Sequence, residues 1–176
     1  VEDNGCVSIP AAGFHRKFEN ELVKMTLIEN LGYEKEAVMI GHPLSGTQRT
    51  GGRNTPRLEY DFYSFSSGSV DVYTYMLPTF PLSADRPFAH ETSSTETKYG
   101  VAIDEGPVMN PSTSSIEYAQ IWYESVLRNC RVNKTTLHIG KPGRHTLKIL
   151  CGDAGTVLQK IVLDFGGMQR SYQGPP

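Results

Sequence analysis

The chain has 176 residues and a formal net charge of −2, with 38% hydrophobic, 10% aromatic and 20% charged residues. That aromatic content excludes a disordered chain, because it can bury enough surface to offset chain entropy. The lack of basic excess argues against nucleic acid and anionic membranes as partners, and no apolar run is long enough to span a bilayer. Beginning at Val1 without an initiator Met, the sequence reads as a mature chain or an excised domain with no signal peptide left. Its length suits one domain over residues 1–176.

In chain order, Val7–Ile9 is short and apolar, Leu22–Leu31 mixes polar and apolar positions, and Ala37–Gly41 reads as a buried strand. Gly46–Pro56 is a loop without an apolar residue. The clearest signal follows. In Leu58–Phe65, Leu58, Tyr60, Phe62 and Ser64 share one face, opposite Glu59, Asp61, Tyr63 and Phe65. In Val70–Leu77, Val70, Val72, Thr74 and Met76 oppose Asp71, Tyr73, Tyr75 and Leu77. With Ser66–Ser69 between them, the two runs predict an antiparallel hairpin. Apolar groups on both faces of the second run point to a central strand, with Tyr73 and Tyr75 forming a second core side or lining a surface.

The polar stretch Pro78–Lys98 is too long for an ordinary connection. Tyr99–Ile103 reads as a strand and Gly106–Ser115 as a loop. Ile116–Asn129 is the helical window: Ile116, Ala119, Tyr123, Val126, Leu127 and Cys130 recur at spacings of three and four. Ser114 and Ser115 stand where a cap is needed. Strands Lys134–Ile139, His145–Cys151 and Val157–Phe165 end the chain, separated by the Gly140–Gly143 and Gly152–Gly155 turns. The fold class expected is all-β, an antiparallel β-sandwich (jelly roll) with one short helix.

Motifs for chemistry are sparse. No phosphate loop, nucleophile elbow or HExxH occurs, and the five His have no metal-like spacing among themselves. Asp104 and Glu105 are neighbours at a strand end, so they point apart and form no catalytic carboxyl pair. No catalytic residue is expected. Cys6, Cys130 and Cys151 read as small buried hydrophobes, with a Cys130–Cys151 disulfide as the alternative. Asn133-Lys134-Thr135 is a formal glycosylation sequon of low specificity. The aromatics of the helical window say more. Trp122 and Tyr118, four apart, share a helix face beside the apolar stripe that carries Tyr123. A flat ring matches the C–H face of a sugar, and nearby polar groups then bind hydroxyls or carboxylates. Alternatively, these aromatics pack the helix onto the sandwich.

Several stretches together are distinctive: PRLEYDFYSFSSGSVDVYTYMLPT (Pro56–Thr79), YGVAIDEGP (Tyr99–Pro107), WYESVLRN (Trp122–Asn129), PGRHTLKI (Pro142–Ile149), VLQKIVLDFGG (Val157–Gly167) and SYQGPP (Ser171–Pro176). On these the chain resembles the C-terminal β-sandwich domain of glycoside hydrolase family 115, the xylan α-glucuronidases. VSIPAAGFHRK (Val7–Lys17) resembles that domain's start. The start departs from the related carbohydrate-binding families 6 and 35, where acidic residues hold a structural calcium. Pro10 and Ala12 stand there instead, and neither offers a side-chain oxygen to Ca2+. Asp164 alone matches the second acidic position, so no cofactor is expected and the metal site is left unknown.

The resemblance implies an accessory domain and not an enzyme, because the family's catalytic carboxylates sit in a barrel that alone takes about 250 residues. It implies a jelly roll that presents sugar sites on its end loops. Arg49, Arg53 and Asn54 lie in one such loop, and Trp122, Tyr118 and Asn129 near another. Trp122, Tyr118, Arg49, Arg53 and Asn129 are the expected carbohydrate contacts; an Arg fork suits a uronate carboxylate. The partners implied are a polysaccharide or oligosaccharide such as glucuronoxylan and the parent enzyme's catalytic domain, with extracellular or periplasmic work. The competing expectation is a structural or dimerisation domain whose aromatics anchor an interface.

Overall fold

Period-two runs rich in β-branched and aromatic residues become the strands. In the computed structural model, which describes residues 1–32, 34–52, 54–79, 97–114, 120–169 and 175, these are β1 (Cys6–Pro10), β2 (Arg16–Phe18), β3 (Met25–Glu29), β4 (Glu36–Ile40) and β5 (Arg57–Ser64). They continue with β6 (Gly68–Met76), β7 (Gly100–Ile103), β8 (Arg131–Ile139), β9 (Gly143–Leu150) and β10 (Thr156–Asp164), and one helix, α1 (Gln120–Leu127), precedes β8. Among the described residues they form two antiparallel sheets. The larger has the order β3-β4-β10-β6-β8, with β1 also on β10; the smaller is β2-β5-β9-β7. This is the expected antiparallel β-sandwich with one short helix.

The core lies between the sheets. Leu58, Tyr60, Val72, Met76, Tyr99, Leu147, Ile149, Leu158, Ile161 and Leu163 belong to it and are all closed to solvent. Two tyrosines carry hydroxyls into it, and both are satisfied. Tyr60 donates to the Ala11 carbonyl at 2.8 Å. The Tyr99 hydroxyl meets Thr74 Oγ1 and accepts from Asn133 Nδ2 at 3.0 Å, and burial pushes it up to about 12. Asn133 also donates to the Ser112 carbonyl at 2.8 Å and is buried, so the sequon nitrogen serves the fold. Cys151 packs in this core, whereas Cys130 packs outside the larger sheet; both are buried and they are not joined in a disulfide, as the buried-hydrophobe reading expects.

The predicted hairpin does not form. The alternation of both runs is as read, but β5 pairs with β2 and β9 in the smaller sheet, while β6 pairs with β10 and β8 in the larger. The connection after Ser64 is therefore a corner between sheets. Glu2 holds it, accepting from Phe65 N at 2.7 Å, Ser66 N at 2.8 Å and Ser66 Oγ at 2.6 Å. Burial pushes the Glu2 carboxyl up, yet those three donors outweigh it and hold the group below its ordinary range. Gly68, at φ 103°, takes the chain into β6.

β6 is a central strand, as its two apolar faces suggested. Tyr75 packs outside the larger sheet with Cys130 and Val162, and Tyr73, Val132 and Met168 border them. This second apolar layer is the second core side that Tyr73 and Tyr75 required.

The helix differs from the expectation more. α1 spans Gln120–Leu127, and residues 116–119 of the predicted window lie outside the described residues. The Ser114 hydroxyl accepts from Thr97 N at 3.0 Å, and Ser115, the other expected cap, lies outside the described residues. Of the expected apolar stripe, Ile116 and Ala119 lie outside the described residues, Cys130 is buried, Tyr123 and Val126 are exposed and Leu127 is 80% exposed, while the buried residue of α1 is Ser125. The helix ends cleanly. Asn129, in the left-handed region at φ 48°, donates to the Val126 carbonyl, and Cys130 N donates to Ser125 O at 2.9 Å. This is the Schellman arrangement, for which Asn is a tolerated substitute for Gly.

Candidate functional site

Antiparallel pairing places the β4–β5 loop, the residues flanking the 80–96 stretch, the α1–β8 junction and the β9–β10 turn at one end of the sandwich. Asp153 ties this end together. Its Oδ1 accepts from Thr47 Oγ1 at 2.6 Å and its Oδ2 from Lys98 N at 2.7 Å, while Asp153 N donates to the Lys98 carbonyl. Gln48 N donates to Gly152 O at 2.6 Å. A Cβ on Gly152 would collide with the Lys98 carbonyl, so this close approach requires glycine.

The expected sugar contacts fall on this end as far as they are described. The Arg49 carbonyl is fixed by Thr55 Oγ1 at 2.7 Å while its side chain is exposed. Trp122 is half-buried on α1 and meets exposed Tyr123 edge-on, with ring centroids 5.1 Å apart and an interplanar angle of 81°. Asn129 closes α1 and accepts from Gln159 Nε2 at 3.2 Å through its carbonyl, leaving its side chain exposed. Tyr118 and Arg53 lie outside the described residues.

A second region escaped the sequence reading. The outer face of the smaller sheet carries a broad open groove of about 1020 Å3, lined by Arg16, Asp61, Tyr63, Phe65, Arg144 and His145 among others. Strand register builds it: Asp61 stands opposite Thr146 and Tyr63 opposite Arg144. The ionic network is dense. Glu59 takes Arg16 at 2.8 Å and Arg57 at 2.7 Å. Asp61 takes the Arg16 fork at 2.5 and 2.7 Å and Thr146 Oγ1 at 2.9 Å. The Arg16 guanidinium holds the Asp61 carboxyl down at about 2. Asp104 and Glu105 do point apart: Asp104 meets His145 Nδ1 at 2.7 Å and accepts from Thr146 N at 2.9 Å, whereas Glu105 takes Lys148. The signal available in the sequence was the Glu59/Asp61/Tyr63/Phe65 face, but its partners on other strands lie 43 to 85 residues away.

With this geometry in view, comparison with known proteins is decisive for the family. The model of the glycosyl hydrolase family 115 C-terminal domain matches residues 1–176. The chain belongs to this family. Among solved structures, it is similar to the family 115 4-O-methyl-α-glucuronidase BtGH115A, which has specificity for decorated arabinogalactans. The TM-score is 0.69 at 21% identity, covering 93% of this chain and 18% of that one. The exo-β-1,3-galactanase Pc1,3Gal43A from Phanerochaete chrysosporium gives 0.54 at 14% identity, covering 90% and 29%. A family 35 carbohydrate-binding module from Clostridium thermocellum gives 0.53 at 9% identity, covering 90% and 96%. These likenesses show the shared sandwich fold. The chain spans less than a fifth of the length of BtGH115A. No curated protein sequence matches the chain.

The calcium pattern of the related modules does not fit this family 115 domain. Asp164 Oδ1 already accepts from Gly166 N at 2.8 Å and Met168 N at 2.9 Å, capping the turn after β10. Pro10 pairs in register with Lys160, whose buried ammonium meets Glu34 at 2.9 Å and the Pro175 carbonyl. A fixed cation stands where a hard dication would need oxygens. Among the described residues, no group of three or more His, Cys, Asp or Glu could hold a metal ion.

Proposed function

We propose that the chain is a non-catalytic carbohydrate-binding module of a polysaccharide-degrading enzyme, working outside the cytoplasm as a single β-sandwich unit over residues 1–176. Its ligand is an acidic cell-wall polysaccharide, with glucuronoxylan and decorated arabinogalactan the two classes to try first. The catalytic domain of the parent enzyme is its other partner; nucleic acid and membrane are not.

The observation that carries this reading is the half-buried Trp122 on a helix whose apolar side chains face outward, at the loop end that also holds exposed Arg49. We place the sugar on Trp122 with Tyr118 beside it, and assign polar contacts to Arg49, Arg53 and Asn129. An exposed aromatic stacked on a ring is worth about 1–2 kcal/mol, or roughly tenfold in affinity. The divergence of Asp104 and Glu105, with Asp104 paired to His145 and Thr146 N and Glu105 to Lys148, supports a non-catalytic role. No structural calcium is required.

One observation favours a second reading. Ile121, Val126 and Leu127 are exposed on the same helix, and such side chains also suit an interface that docks the domain on a barrel or a second copy. Native affinity gels separate the two. The first reading predicts that glucuronoxylan or arabinogalactan retards the chain, and that Trp122→Ala abolishes retardation with little change in Tm. Self-association with no retardation by any glycan supports the second.

A further inference from the structure

The groove on the smaller sheet is not a uniform charged surface. Its acids are occupied: Glu59 by Arg16 and Arg57, Asp61 by Arg16 and Thr146, and Asp104 by His145 and Thr146 N. His145 is held on its other side as well, by the Lys141 carbonyl at 2.9 Å. Arg144 differs from all of these. It is exposed, and among the described residues no acid or hydrogen-bond acceptor holds its guanidinium. The groove thus contains one uncommitted cation fork beside a network of committed charges.

That fork has a flat apolar neighbour. Arg144 stands opposite Tyr63 in the β5–β9 register. Tyr63 and Phe65 rings lie 5.1 Å apart, tilted by 60°, and remain 38% and 64% exposed. Exposed aromatic pairs rimmed by polar groups mark ligand surfaces more often than stability devices. Asp61 and Thr146 line the same groove and are tied to each other at 2.9 Å. At about 1020 Å3 the groove is at the upper end of the range for ligand clefts, about 300–1,000 Å3.

We propose that this groove is a second glycan site, selective for a uronic acid unit. The C–H face of its pyranose ring stacks on Tyr63 and Phe65, and its carboxylate takes the Arg144 fork in a bidentate pair. The charge match favours an acidic over a neutral sugar, because Arg144 is the guanidinium in the groove with no internal acid among the described residues. Arg16, tied to Asp61 and Glu59, cannot serve this purpose without breaking its own pairs. The proposal rests on the reading of the chain as a binder of acidic glycans, but it places a contact on a different face from Trp122. One polysaccharide chain could then engage the domain at two places, adding avidity to weak single sites.

The test is a titration of the 15N-labelled 176-residue chain with aldotetraouronic acid and, separately, with neutral xylotetraose. Saturable shifts at the Tyr63, Arg144 and Thr146 amides are expected with the acidic oligosaccharide, with about tenfold weaker binding of the neutral one. Arg144→Gln should erase that preference and Arg144→Lys should restore it in part, because an ammonium keeps the charge and loses the fork. Both variants alter an exposed side chain, and spectral dispersion checks that each is folded. Shifts confined to the Trp122 indole and α1 amides would overturn the groove site while leaving the proposed function standing. Equal groove shifts with both oligosaccharides would overturn the uronate assignment. No shift anywhere with the acidic oligosaccharide would contradict both.

Discussion

The two sheets carry opposite outer faces. Outside the larger sheet, Tyr75, Cys130 and Val162 are buried, Met168 packs against them, and even the charged Lys160 is only 3% exposed. Outside the smaller sheet, Asp61, Tyr63 and Arg144 are open to water in a broad groove. Both faces alternate with the same core, so the core does not distinguish them. The difference comes from the chain that covers them. Glu34, Pro175 and Met168 close the first face, and no described segment lies over the second. A closed face reports stability and an open one with fixed charges and exposed rings can report recognition.

Matched substitutions sharpen that contrast. Tyr75→Ala should cost about 3 kcal/mol or more by opening a cavity under the closed face. Tyr63→Ala on the open face should cost under about 1 kcal/mol. Chemical denaturation of the pair measures both, and equal costs would erase the distinction. A smaller difference is expected for two lysine partners. Removing Glu34 leaves the buried Lys160 ammonium with the Pro175 carbonyl alone, at a cost of about 1–3 kcal/mol. Removing Glu105, which is 96% exposed beside Lys148, should change stability by less than about 0.5 kcal/mol.

The open face should also show in acid. The Arg16 fork depresses the folded Asp61 pKa to about 2, from an ordinary value near 4. Its contribution is therefore present above about pH 4 and is lost as pH falls toward 2. The Tm of Asp61→Asn should fall less steeply across that window than the parent's, a modest effect because the pair is exposed to solvent. The smallest effect expected is from metal removal. With Lys160 opposite Pro10 and Asp164 capping a turn, EDTA should leave the Tm unchanged; a drop would return calcium to the fold.

How far the sequence could take these conclusions follows from what periodicity encodes. Alternation in Leu58–Phe65 and Val70–Leu77 sorted the residues into two faces, and Leu58, Tyr60, Phe62, Val70, Val72 and Met76 from one face of each run lie in the core. It could not tell that the strands belong to different sheets, because Leu58 and Val70 face the same core from either side. The deciding contacts to the corner come from Glu2, more than sixty residues away. The helix was legible as a helix, but not its orientation: spacing places Tyr123, Val126 and Leu127 on one stripe without saying whether that stripe meets the sandwich or water. Of the expected sugar contacts, Trp122, Arg49 and Asn129 reach one end of the sandwich. The groove stayed hidden because Tyr63 meets Arg144 only through a register set by the whole sheet.

Trp122 is the chain's single tryptophan, so its emission reports the proposed loop-end site without labelling. Titrating glucuronoxylan or arabinogalactan fragments into the chain should give a saturable change in Trp122 emission, at protein concentrations where sedimentation shows a monomer. Unchanged emission with every acidic and neutral fragment, together with a dimer in sedimentation, would contradict the carbohydrate-binding account and leave the exposed face of α1 as an interface.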